Sequence, residues 1–144
     1  GIGSGFPIGA CLSTNKASVG MIKGSHGSTF GGNPMAIAVG TAVINEIMSE
    51  GFLDRVDKVS RYLWNELLLL QKDYDEIIEV RGAGLLLGIK TKSKNTEINK
   101  LFENHGLLTI TASDNIVRIS PPLIINIKDV DTAIEIIRKA LKVI

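Results

Sequence analysis

The stretch His26-Gly27-Ser28-Thr29-Phe30-Gly31-Gly32-Asn33-Pro34 sets the reading of everything around it. Asn33 is a good helix N-cap, because its side-chain oxygen accepts from an amide that the first turn leaves without a partner. Pro34 suits the first helical position, where a missing N–H costs nothing. A helix is therefore predicted from Pro34 to about Ser49, with Gly51 as the glycine that ends it. Its expected inner face is Ala36, Ile37, Gly40, Val43, Ile44 and Ile47, and the small residues among these imply close packing. Just ahead of the helix stand two hydroxyls, Ser28 and Thr29, among glycine amides. The helix dipole, free amides and hydroxyl donors together make a sensible anion site. On spacing alone the plainer alternative is favoured, in which Ser28 and Thr29 are only turn and capping residues.

Upstream, the chain from Gly1 to Gly32 is glycine-rich and irregular. Pro7 to Ser13 reads as a short buried strand, with a turn near Asn15 and Lys16. Gly1-Ile2-Gly3-Ser4-Gly5 looks like half of a dinucleotide fingerprint, but that motif needs a strand before it and a helix directly after it. Here Phe6-Pro7 follows and biases the backbone to extended structure, so the glycines read as a tight turn. Two elements with this much glycine cannot bury their own faces. The apolar surface left on the first helix is expected to make an isolated fragment associate.

Downstream, Leu53, Val56, Leu63, Leu67 and Leu70 recur at spacings of three, four and seven, which predicts a second helix with Asp54, Asp57, Lys58 and Arg61 on its wet side. Ile77 to Val80 and Leu85 to Ile89 are short apolar runs joined by Arg81-Gly82-Ala83-Gly84, and they read as two strands around a glycine turn. A third helix is expected over Thr96 to Asn104, with Ile98, Leu101 and Phe102 inward and Gly106 as its stop. Leu107 to Ile110 and Ile116 to Ile119 read as strands turning at Ser113-Asp114-Asn115. A last helix over about Asp129 to Lys142 is expected to bury Val130, Ala133, Ile134, Ile137 and Leu141. The order after Gly51 is thus α-β-β-α-β-β-α, an α+β unit with its own core.

Sixteen basic residues against fifteen acidic ones leave a net charge of +1, with no basic block, so no nucleic-acid partner is implied. The apolar runs fall far short of the roughly 20 residues that span a bilayer, and no membrane partner is expected. The single cysteine, Cys11, allows no internal disulfide and fits a reducing, cytoplasmic compartment. No set of residues has metal-ligand spacing. A chain that opens on Gly1 rather than methionine is expected to be part of a longer one.

Four blocks carry a family resemblance: Gly1-Ile2-Gly3-Ser4-Gly5-Phe6-Pro7-Ile8-Gly9-Ala10, the stretch from His26 to Pro34, Val80-Arg81-Gly82-Ala83-Gly84-Leu85-Leu86, and Val117-Arg118-Ile119-Ser120-Pro121-Pro122-Leu123. They are similar to successive blocks of the class III pyridoxal-phosphate-dependent aminotransferases, with the acetylornithine and ornithine enzymes nearest. They stand in the family's order and cover essentially the whole chain. The resemblance raises the phosphate-site reading of Ser28 and Thr29 above its plainer alternative.

The resemblance implies an α/β chain, the C-terminal part of a type I pyridoxal-phosphate transferase fold. Residues 1–50 would be the end of the cofactor-binding large domain and residues 51–144 the α+β small domain. The cofactor would be pyridoxal 5'-phosphate. No catalytic residue is expected in this chain, since the family's cofactor-bonding lysine stands immediately before the block that opens at Gly1; the acidic partner of the pyridinium nitrogen lies further upstream. Lys23 is not taken as a substitute, because nothing positions it. The family's threonine reaches across a homodimer interface to the neighbouring subunit's cofactor phosphate, and Thr29 matches it, with Ser28 beside it as the second candidate. Arg118 matches an arginine that holds a substrate carboxylate, for which the planar fork of a guanidinium is suited. Alternation puts Val117 and Ile119 on one strand face and Arg118 on the other. Without the resemblance, a charge on a wet face would be the favoured reading. Arg81, beside a glycine turn, reads as structural, His26 as a loop donor, and His105 as a group suited to a helix C-terminus.

The implied reaction is a ping-pong transfer of an amino group from N-acetylornithine, or a similar ω-amine, to 2-oxoglutarate, a step of arginine biosynthesis. The alternatives are a non-catalytic remnant or split-gene half that pairs with a separate N-terminal half, and a phosphate-binding module with no enzymatic role.

Overall fold

The Asn33 side chain accepts a hydrogen bond from the Ala36 amide at 2.9 Å, and Pro34 opens the helix behind it, as the sequence requires. The computed structural model describes residues 1–144. Its chain divides into two units, Gly1–Leu53 and Asp54–Ile144.

In the first unit a 3-10 turn at Ala17–Gly20 precedes helix α1, Pro34–Ile47. The inner stripe of α1 is narrower than expected: Ala36 and Gly40 are buried and Val39, Val43 and Ile47 are half-buried, while Ile37 and Ile44 are 53% and 45% exposed. The stripe follows the 36-40-43-47 line, and Ile37 and Ile44 lie one position off it. Gly40 admits a close approach: a Cβ there would stand 3.6 Å from Ile8 Cδ1 and 4.0 Å from Ile2 Cγ1, so the N-terminal glycine turn packs down on the helix. Pro7 to Ser13 is not a strand. Every strand of the chain lies in the second unit, and no partner stands in the first to accept a ladder from this segment.

Helix α2, Phe52–Asp73, begins at the boundary and supplies Val59, Leu63, Leu67 and Leu70 to the core of the second unit. Leu53, expected on this stripe, is 54% exposed because the stripe runs through Val56 and Phe52 instead. Strands β1, Ile77–Ala83, and β2, Leu86–Thr91, form a hairpin where one was expected, but Arg81, Gly82 and Ala83 extend β1 and pair with Gly88, Leu87 and Leu86, so the turn is only Gly84 and Leu85. Helix α3, Asn95–Asn104, leads to β3, Ile110–Ala112, and β4, Ile116–Ile119; helix α4, Ile127–Leu141, ends the fold. β3 starts three residues later than the hydrophobic run suggests. The Leu107 amide is used to close α3, bonding the Phe102 carbonyl at 2.9 Å, and Leu108 is left exposed. α4 starts at Ile127, two residues early, because Asn126 and Asp129 form a reciprocal capping box.

The sheet is antiparallel throughout, in the order β1-β2-β4-β3. Register places Val80, Ile89 and Val117 in one row and Leu87 and Ile119 in the next, on the face that α2, α3 and α4 cover. The alternate rows face away from those helices. One is Arg81-Gly88-Arg118-Ile110, and the other is Glu79-Lys90-Ile116-Ala112. This open face carries the charged groups of the sheet. No single helix is long and apolar enough to cross a membrane.

Candidate functional site

In the first unit, Asn33 organises the loop before α1 from both ends of its amide. Its Oδ1 takes the Ala36 amide, its Nδ2 donates to the Phe30 carbonyl at 2.8 Å, and its own backbone amide bonds the same carbonyl at 3.3 Å. The loop therefore doubles back, and a Cβ on Gly31 would stand 3.0 Å from Ser28 Cβ and Oγ. Ser28 and Thr29 are thereby held together ahead of the helix. Both are exposed, and neither their hydroxyls nor their amides bond a protein group. His26 is exposed and makes no hydrogen bond to a carbonyl, so its expected loop contact is absent. His105 meets its expectation, with Nδ1 2.9 Å from the Leu101 carbonyl in the last turn of α3.

In the second unit, Arg118 stands on the open face of β4, opposite the buried Val117. Its guanidinium has no ion pair and no protein acceptor. It shares its row with Arg81, two strands away, and Gly88 lies between them. Arg81 is paired: it donates to Asp114 Oδ2 at 2.6 Å, while Lys90 donates to Asp114 Oδ1 at 2.8 Å. These bonds, Lys90's first and Arg81's second, hold the Asp114 carboxyl below the usual carboxylate range. The structural reading of Arg81 thus has a defined partner.

The turn that carries Asp114 is itself anchored. Asp114 and Asn115 take φ of +62° and +57°, the left-handed region that Asp and Asn tolerate better than other side chains. The Asn115 side chain donates to the Thr91 and Ser93 carbonyls at 2.7 and 2.8 Å and accepts from the Asn95 amide at 2.8 Å. Asn95 in turn donates to the Ala112 and Ile116 carbonyls at 2.8 and 3.0 Å. Sequence reading identified only a turn here. The signal was present in two adjacent left-handed-tolerant residues followed by a strand, but their partners are some twenty residues distant.

Arg118 also borders a largely apolar groove of about 410 Å³ between the β3–β4 end and α4, with Leu107, Ile110, Ile119, Pro121 and Ile125 among its walls. Arg55 of α2 fixes one wall, donating to the Leu123 and Ile125 carbonyls at 3.0 and 3.1 Å. Ser28 and Thr29 belong to one unit and Arg118 to the other. Chemically, the first patch is a set of neutral anion donors and the second a free bidentate cation.

The family model for class III aminotransferases matches residues 1–141. The chain is 41% identical over 143 residues to an acetylornithine aminotransferase of Mesorhizobium japonicum, covering 99% of this chain and 36% of that protein. Among solved structures, it is similar to an acetylornithine aminotransferase from Elizabethkingia anophelis, with a TM-score of 0.77 and 32% identity over 84% of this chain and 33% of that one. An ornithine delta-aminotransferase of Plasmodium falciparum gives a TM-score of 0.77 and 35% identity, covering 85% of this chain and 32% of that one. The chain spans about a third of the length of the relatives it matches.

Proposed function

Because the chain belongs to the class III aminotransferase family, we propose that it is the C-terminal portion of an enzyme that moves an amino group from N-acetylornithine, or a similar ω-amine, to 2-oxoglutarate in arginine biosynthesis. Residues 1–50 are the end of its cofactor-binding large domain and residues 51–144 its small domain. The observation that carries this reading is the unpaired Arg118 guanidinium on the open sheet face, in a chain matched to the family along nearly its whole length.

The donors before α1 fit the phosphate end of pyridoxal 5'-phosphate: two hydroxyls and two amides that no protein group occupies, at the positive end of a helix. When bound, that cofactor supplies an electron sink for the substrate carbon. Thr29, with Ser28 beside it, binds the phosphate, and in a homodimer that phosphate is the neighbouring subunit's. Arg118 takes a carboxylate of the substrate through two parallel N–H donors and so fixes its orientation. The lysine that carries the proton in this chemistry is supplied by the part of the enzyme before Gly1.

The test is glutamate formation from N-acetylornithine and 2-oxoglutarate by the assembled enzyme, with Arg118→Gln and Thr29→Ala beside the native form. A charged hydrogen bond is worth about 1.5–3 kcal/mol, so Arg118→Gln is expected to raise KM for 2-oxoglutarate about 10- to 150-fold. Thr29→Ala is expected to weaken retention of pyridoxal phosphate and to weaken competition by inorganic phosphate. Unchanged KM in the first variant and unchanged cofactor retention in the second would overturn the site. The alternative of a split half predicts glutamate only when a separate N-terminal half is added.

A further inference from the structure

We propose that Asp114 is a charge-sequestering positioning residue: by holding Arg81 and Lys90 it leaves Arg118 as the one cation of the open sheet face that can take a carboxylate. The inference rests on the carboxylate role of Arg118 and deepens it. Three cations, Arg81, Lys90 and Arg118, stand on two adjacent rows of the sheet. Left alone, they would attract any anion in several registers and would repel one another. Asp114 uses one oxygen on each of two of them, at 2.6 and 2.8 Å, and directs neither oxygen at the third. Its place is fixed by Asn115, whose three bonds tie the turn to β2 and to the start of α3. Glu79 lies on the row of Lys90 and forms no ion pair, so it does not share this task. Ile116, across from Lys90 in the β2–β4 register, is only 8% exposed, and its Cγ2 would stand 2.7 Å from a Cβ on Gly88. Ile116 thus covers Gly88, which lies between Arg81 and Arg118 in their row, and the floor there is filled. One free guanidinium beside a filled floor selects for a single carboxylate in a single place.

The experiment follows the side-chain Nε–Hε resonances of the arginines of this chain, selectively labelled within the assembled enzyme, by NMR during titration with 2-oxoglutarate, and separately with inorganic sulfate, for the native sequence, Asp114→Asn and Asp114→Glu. In the native chain only the Arg118 resonance is expected to move. In Asp114→Asn the Arg81 resonance is expected to move as well, with apparent sulfate affinity about two- to fivefold tighter, the scale of an exposed ion pair. Asp114→Glu is expected to restore the single-site pattern. The double variant Arg81→Gln/Lys90→Gln, which removes the sequestered cations, keeps the test open should Asp114→Asn fail to fold; it is expected to bind 2-oxoglutarate at Arg118 as the native chain does. If Arg118 responds in the native chain and Arg81 stays silent in Asp114→Asn, the sequestering role is refuted while the carboxylate role stands. If Arg118 does not respond even in the native chain, the carboxylate role fails first.

Discussion

Arg118 stands directly across from Gly88 in the β2–β4 register, so the row that carries the free guanidinium has no side chain at β2. Gly88 has ordinary extended backbone, and the reason for glycine is the neighbour: a Cβ would come within 2.7 Å of Ile116 Cγ2. Gly88→Ala is expected to force the Ile116 side chain aside at a cost of about 1–2 kcal/mol, and Gly88→Val at about 3 kcal/mol or more. Urea unfolding of the two variants checks the order. Equal midpoints for native and Gly88→Val would show that the floor beside Arg118 is slack.

Charge alone does not reproduce what a guanidinium offers. Arg118→Lys keeps the positive charge but loses the planar fork. Its KM for 2-oxoglutarate in the assembled enzyme is expected to rise about tenfold, roughly 1.4 kcal/mol, less than the rise in Arg118→Gln. A lysine variant as good as arginine would reduce the residue to a point charge.

Asn115 combines two demands, a left-handed φ and three side-chain hydrogen bonds. Glycine satisfies the first demand only and alanine neither. Asn115→Gly is expected to destabilise the second unit by about 2 kcal/mol and Asn115→Ala by about 3, since part-buried backbone groups lose their partner and alanine adds backbone strain. Thermal melts of both variants should rank in that order. A reversed order would place the cost in flexibility rather than in bonding.

The Tyr62 hydroxyl donates to Asp131 Oδ1 at 2.6 Å, joining α2 to α4. The bond to Asp131, then desolvation and that carboxylate's charge, push the Tyr62 hydroxyl up to about 12. A raised value in the folded state means its stabilising contribution is complete below about pH 10, where the unfolded tyrosine titrates. It is then lost between about 10 and 12 as the unfolded chain gives up its proton first. Native protein is therefore expected to lose stability faster than Tyr62→Phe across that window, as read by denaturant midpoints at pH 9 and pH 11. Parallel slopes would sink the linkage.

Much of this fold was legible in sequence because the deciding signals were local. Asn33-Pro34 set the start of α1, Ile116 to Ile119 set β4 to the residue, and Arg81-Gly82-Ala83-Gly84 marked the hairpin, though only Gly84 of the four is in its turn. Two of the errors turn on which partner a backbone amide finds, near or far in sequence. Pro7 to Ser13 has strand composition but no strand to pair with in its unit. Leu107 has strand composition too, yet its amide closes α3. At the site, the exposed side of Arg118 followed from alternation alone. That Arg81 and Lys90 share one carboxylate could not be read, since Asp114 is 33 and 24 residues away from them.

The β2–β4 ladder joins strands separated in sequence by α3 and β3, and Arg118 takes its place only when that ladder closes. An acid that grips Arg118 is therefore a ligand of the folded unit and not of its unfolded ensemble. Mass action then ties the concentration of such an acid to persistence of the folded unit, by about 2.7 kcal/mol at a hundredfold excess over Kd. Scarcity of that acid would leave the polypeptide more open to proteolysis, and plenty would protect it.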